Sequence, residues 1–182
     1  MRRLLFGVLL VAMAATASAA DITRDTVLSE MNRYREQHGL SVLVEDLRLT
    51  KVAEYRVRDM EEMSYWAHVS PDGRSPFAML RPYGYDYQAA GENLASGFET
   101  AEILVESWME SKGHRDNILS GRYDHCGIAI IEGATTGRAT GQSVVVIFAR
   151  QLIPLAPKVA KAKPAVKPIE PARVNSAGMI AP

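Results

Sequence analysis

An apolar run opens the chain. Leu4 to about Ala15 follows Arg2 and Arg3, then gives way to small residues, and Ala17-Ser18-Ala19 fits the pattern at which secretory signals are cut. Residues 1–20 therefore read as a signal peptide cleaved after Ala19 or Ala20, the run being shorter than the ~20 apolar residues a bilayer span needs. Helical spacing follows. Val27, Leu28, Met31 and Tyr34 mark one helix between Asp25 and His38, with Gly39 as its stop. Val52, Ala53, Val57 and Met60 mark a second over Thr50 to Met63, with Thr50 as its cap. The stretch SYWAHVSPDGRSP is dense in turn formers and reads as a loop. Ser75-Pro76 then opens a short helix to about Tyr83, with proline at its first position. Thr100 caps a further helix, AEILVESWMES, in which Ile103, Leu104 and Trp108 share a face and which Gly113 ends.

Past Gly113 the pattern changes. His125 to Glu132 and Ser143 to Arg150 are β-branched runs joined by the glycine-rich GATTGRATG, which predicts a hairpin with a long connection. Helices first and strands after predict an α+β fold, with helices packed on a small antiparallel sheet. The last stretch, 151–182, is rich in Pro, Ala and Lys without apolar periodicity and reads as a disordered basic tail. The prolines interrupt any helix there.

Charge sharpens this division. The 182 residues carry 21 basic and 21 acidic side chains, which suggests neutrality. Residues 21–150 alone hold 14 basic and 20 acidic ones, a balance of −6, and residues 151–182 hold +4. Removal of the leader leaves an acidic domain with a basic tail, of net charge −2. The acidity of the domain opposes phosphate contact and excludes a nucleic-acid binder built on bulk positive charge. Cys126 stands alone in the apolar CGIAII, so no internal disulfide forms and the thiol is expected to be buried.

Two of the four histidines, His68 and His114, fall in stretches crowded with turn and polar residues, whereas His38 and His125 sit at element ends and read as structural. Three strings stand out: HVSPDGRSPF (His68 to Phe77), GENLA (Gly91 to Ala95) and WMESKGHRDNIL (Trp108 to Leu119). If the chain brings His68, Glu92 and His114 together, two imidazoles and a carboxylate converge. Such a set can bind a divalent ion such as zinc through His68 and His114. It can equally be a hydrogen-bonded polar cluster without metal.

These strings, in this order and followed by CGIAI, resemble the CAP superfamily (SCP domain; cysteine-rich secretory proteins, antigen 5, pathogenesis-related proteins), in its bacterial branch. The opening MNRYREQHGLSVLVEDLRLTKVAEYRVRDM is similar as well, and the likeness covers residues 24–150. The resemblance implies a three-layer α-β-α sandwich with a surface cleft lined by two histidines and two glutamates. His68, Glu92 and His114 match three of them. The fourth, three residues after the tryptophan in eukaryotic members, is Ser111 here, with Glu106 and Glu110 nearby on the same predicted helix.

Three readings of function follow. The preferred one is an exported binding module, periplasmic or extracellular, with a lipid, a cell-envelope component or an extracellular protein as partner. It needs no cofactor, no transmembrane span and no nucleic acid. The second is a metal-dependent or His/Glu-assisted hydrolase with Glu92 as base, although HExxH, GxSxG and a cysteine nucleophile motif are all missing. The third is a structural envelope protein tethered by the basic tail. Fold does not choose among them, and the oligomeric state is not legible.

Overall fold

A computed structural model describes residues 21–131 and 141–153. The signal-peptide, basic-tail and glycine-connection readings lie outside those residues, save for the tail's first three and the connection's Gly141. The elements run α1 (Arg24–Gln37), β1 (Val44–Glu45), α2 (Leu47–Glu62), β2 (Tyr87–Ser96), α3 (Ala101–Glu110), α4 (Lys112–Ile118), β3 (His125–Ile131) and β4 (Ser143–Gln151). The unit that holds them ends at Leu152. No described helix is long and apolar enough to cross a membrane.

The sheet has the order β1-β3-β4-β2. β4 lies between β3 and β2 and pairs antiparallel with both. Its alternating side chains feed two cores. Val144, Val146 and Phe148 meet α1 and α3, while Val145, Ile147 and Ala149 meet α2. The α+β fold expected from the pattern is therefore present, with the three layers that the resemblance implies. One pair departs from the all-antiparallel expectation, since β1 runs parallel to β3 through Val44↔His125 and Glu45↔Cys126. A two-residue strand carries no period that could have revealed it.

The helical stripes hold in outline. Val27 and Met31 on α1, and Val52, Ala53, Val57 and Met60 on α2, are buried. The cap of α2 is Asp46, whose side chain accepts from Arg48 N. Thr50 is buried inside the helix and donates to Glu45 at 2.8 Å. On α3 the buried face is Ala101, Leu104, Val105 and Trp108, and Ile103 is 48% exposed. Residues 76–84 form successive turns rather than a helix. α4, which was not expected, follows α3 directly after Ser111. GENLA lies within β2.

β2 is an edge strand, yet its outward carbonyls are not open. Tyr123 Oη donates to Ala90 O, Asn117 Nδ2 to Glu92 O and Trp108 Nε1 to Leu94 O, each at 3.1 Å. Side chains from beyond the sheet thus replace a neighbouring strand and block edge-to-edge pairing. The close approach fixes Gly91, because a Cβ there would stand 2.7 Å from both Asn117 Oδ1 and Tyr123 Oη.

Candidate functional site

Alternation along β2 decides which chemistry meets which layer. Glu92 points to the α2 side and Asn93 to the α4 side. Asn93 Nδ2 donates to His114 O at 3.2 Å, and Asn93 Oδ1 accepts from Asn117 Nδ2 at 2.9 Å. Glu92 meets a cation. Arg56 Nε donates to Glu92 Oε2 at 3.0 Å, and the two residues are 2% and 5% exposed. The other carboxylate oxygen, Oε1, lies 2.7 Å from His68 Nδ1.

Arg56 does more than neutralise Glu92. Its Nη1 donates to Tyr65 Oη at 2.6 Å, and its Nη2 donates to the carbonyls of Ala67 and His68 at 2.9 and 3.0 Å. Tyr65 Oη in turn donates to Asp59 Oδ2, and Arg74 Nη2 donates to Asp59 Oδ1 at 2.8 Å. A buried charge is tolerable only when paired and hydrogen-bonded in this way. Burial opposes the Arg56 charge, but the Glu92 hydrogen bond and field leave it more strongly held than in water. Burial, aided by the hydrogen bond to Asp59, pushes the Tyr65 phenol up to about 12. The Glu92 hydrogen bond raises the His68 imidazole above its ordinary value, while burial and Arg56 each take part of that rise back.

Beside this pair lies an open cleft of about 420 Å³, lined by His68, Val69, Pro76, Phe77, Ala90, Gly91, Glu92 and Asn117. A larger hollow of about 520 Å³ sits against β3, along Ile128 to Ile131 between Arg24, Glu54 and Arg58, and no histidine lines it.

The structure therefore brings two of the three matched residues into one contact. His114 sits on α4, not in a loop, and is not among the residues lining the cleft. Its ring packs on Trp108 with centroids 6.2 Å apart. Burial, followed by the charge of His68, lowers its imidazole, so the two histidines sense each other without touching one partner. Glu106 and Glu110 are exposed and do not line the cleft. His38 caps α1, with Nδ1 2.7 Å from Tyr34 O, and His125 Nδ1 lies 2.8 Å from Tyr85 Oη, so both serve structure. Cys126 is buried, which pushes its thiol up to about 12.

Zinc sites use three or four protein ligands. Among the described residues, no group of three or more His, Cys, Asp or Glu side chains is placed to hold a metal ion. Glu92 is no open ligand, since it already carries His68 on one oxygen and a guanidinium on the other.

Sequence reasoning missed Arg56, Asn93, Asn117 and Tyr123. A signal existed for Arg56, which interrupts the Val52, Ala53, Val57, Met60 stripe at a position that must face inward.

The profile of the CAP family, described as the Cysteine-rich secretory protein family, matches residues 28–148. An uncharacterized Bacillus subtilis protein, YkwD, is 39% identical over 109 residues, which are 60% of this chain and 42% of that relative. The chain thus spans well under two thirds of that relative's length. Among solved structures, an extracellular SCP-domain protein of Bacillus anthracis superposes with a TM-score of 0.58 at 24% identity, over 70% of this chain and 40% of the other. An outer surface protein of Borrelia burgdorferi superposes with a TM-score of 0.62 at 23% identity, over 74% of this chain and 100% of the other. At these identities the two structures speak for the fold.

Proposed function

The chain belongs to the CAP family of cysteine-rich secretory proteins, and from that premise we propose that it is an exported binding module whose cleft receives a ligand with an apolar body and one polar end, a lipid or a cell-envelope component. One observation carries this reading. Almost every polar group at the cleft is already engaged within the protein. Both Glu92 oxygens are taken. The Asn117 amide donates to Glu92 O and Asn93 Oδ1, and its oxygen lies 3.4 Å from Tyr123 Oη. What is left at the cleft without a partner among the described residues is His68 Nε2, on a side chain that is 54% exposed and lines the cleft with Val69, Pro76, Phe77 and Ala90. Apolar walls with a single directing polar atom suit binding and orientation. A general base at Glu92 would need a carboxylate oxygen within reach of substrate, and the ion pair with Arg56 works against that.

The test uses the mature chain. Native mass spectrometry should find a co-purified small molecule, and a fluorescent amphiphile with a hydroxyl end should bind and be displaced by its unlabelled counterpart. His68→Ala should weaken that binding. Absence of both signals refutes the reading, and turnover of peptide or cell-wall material abolished by Glu92→Gln would replace it with the hydrolase.

A further inference from the structure

We propose that Arg56 is the positioning residue of this cleft: it locks Glu92 and the His68 loop into one arrangement, so that neutral His68 carries its proton on Nδ1 and presents the Nε2 lone pair to the ligand. The side chain spans three parts of the molecule. It leaves α2, meets Glu92 on β2 through Nε, and meets the 65–68 segment through Tyr65 Oη and the carbonyls of Ala67 and His68. Arginine's rigid fork can serve these partners at once, and no other side chain can. Two of its acceptors are the backbone of the His68 loop, so the same group that aims the carboxylate also aims the imidazole.

The proton placement follows from the partners. A carboxylate only accepts hydrogen bonds. Nδ1 stands 2.7 Å from Glu92 Oε1, so it must be the donor, and in the neutral ring Nε2 is then the acceptor. Glu92 cannot turn to offer His68 a different geometry, because Oε2 is fixed by Arg56 Nε. Asp59, held by Arg74 and Tyr65, closes the network behind the guanidinium. A free histidine favours the opposite tautomer, so this one depends on the surroundings. It also narrows the ligand. An Nε2 acceptor selects a hydroxyl or an amide N–H at the polar end. This last step rests on the binding reading above, while the tautomer does not.

The experiment is nitrogen-15 NMR of the histidine side chains in the full mature chain, at alkaline pH where the imidazole is neutral. His68 should show a pyrrole-type Nδ1 and a pyridine-type Nε2. In Arg56→Met the pattern should move toward the Nε2–H form. Binding of a hydroxyl-bearing fluorescent amphiphile should weaken by up to about tenfold, the worth of one neutral hydrogen bond. Near-ultraviolet circular dichroism confirms that the variant is folded. If it is not, Arg56→Lys takes its place, since lysine keeps the charge but cannot reach the carboxylate, the phenol and two carbonyls together. An Nε2–H tautomer in the wild type overturns the proposal. So does an unchanged tautomer in the folded variant. Failure of the wild type to bind any amphiphile refutes the binding reading instead, and the tautomer still decides the role of Arg56.

Discussion

Arg35 offers the sharpest test of how the site is held up. Its side chain enters the interior from α1 and is 1% exposed. Nε donates to Ser41 O at 2.8 Å, Nη1 to Ile118 O and Ser120 O at 2.7 and 2.9 Å, and Nη2 to Tyr123 O at 3.2 Å. Its hydrogen-bond acceptors are all carbonyls. Burial lowers the guanidinium, and the field of Asp124 only partly compensates. Arg35→Met keeps the apolar stem and removes all the donors. The carbonyls of Ile118 and Ser120 lie at the end of α4, where a helix leaves its acceptors unsatisfied. Hydrogen bonds to a charged group are worth ~1.5–3 kcal/mol each, but release of the buried cation offsets part of the loss, leaving a cost of about 3–5 kcal/mol. For a domain of this size that corresponds to a fall in Tm of roughly 10–20 °C. Thermal melts followed by circular dichroism, with urea midpoints as a second measure, would read it. Because α4 carries Asn117, which caps Glu92 O, amphiphile binding should fall as well. A Tm within about 3 °C of wild type would refute the argument that these carbonyls depend on Arg35.

Three further outcomes are expected. Gly127→Ala should destabilise by about 3 kcal/mol or more, as severe overpacking does, because a Cβ would stand 2.1 Å from the Leu49 and Thr50 backbone. A melt like that of wild type would show that α2 can move aside at no cost. The His68–Glu92 pair should stabilise the fold most below the ordinary histidine value of 6.5 and lose that effect as pH rises through the raised folded value. The Tm gap between wild type and His68→Ala should therefore be wider at about pH 5.5 than at about pH 8.5, and a reversed or constant gap would contradict it. Cys126 should resist iodoacetamide in the native protein and react once denatured, since the thiol is buried and its ionisation is pushed up to about 12. Rapid native labelling, read by mass spectrometry, would show otherwise.

The sequence by itself determined the elements whose pattern is local. Four-residue apolar spacing marks the buried faces of α1 and α2, and β-branched runs mark β3 and β4. The three strings place His68, Glu92 and His114 in the chain with the CAP resemblance that joins them. Local pattern also says that Cys126 is buried, because it lies inside an apolar strand. Only the tertiary structure decided what those residues meet. Glu92 finds Arg56 across 36 positions, and Arg35 finds Tyr123 across 88. No local period encodes a pairing at such range, although both arginines betray themselves by lying on apolar helix faces. That His114 meets Asn93 through its backbone rather than hydrogen-bonding Glu92 is likewise a tertiary fact. Successive residues of a strand face opposite layers, so Glu92 reaches α2 while Asn93 reaches the backbone of His114 on α4. The sequence names the polar residues of the cleft. Only the fold sets the buried guanidinium beneath them, holding Glu92 and the carbonyls of Ala67 and His68 together.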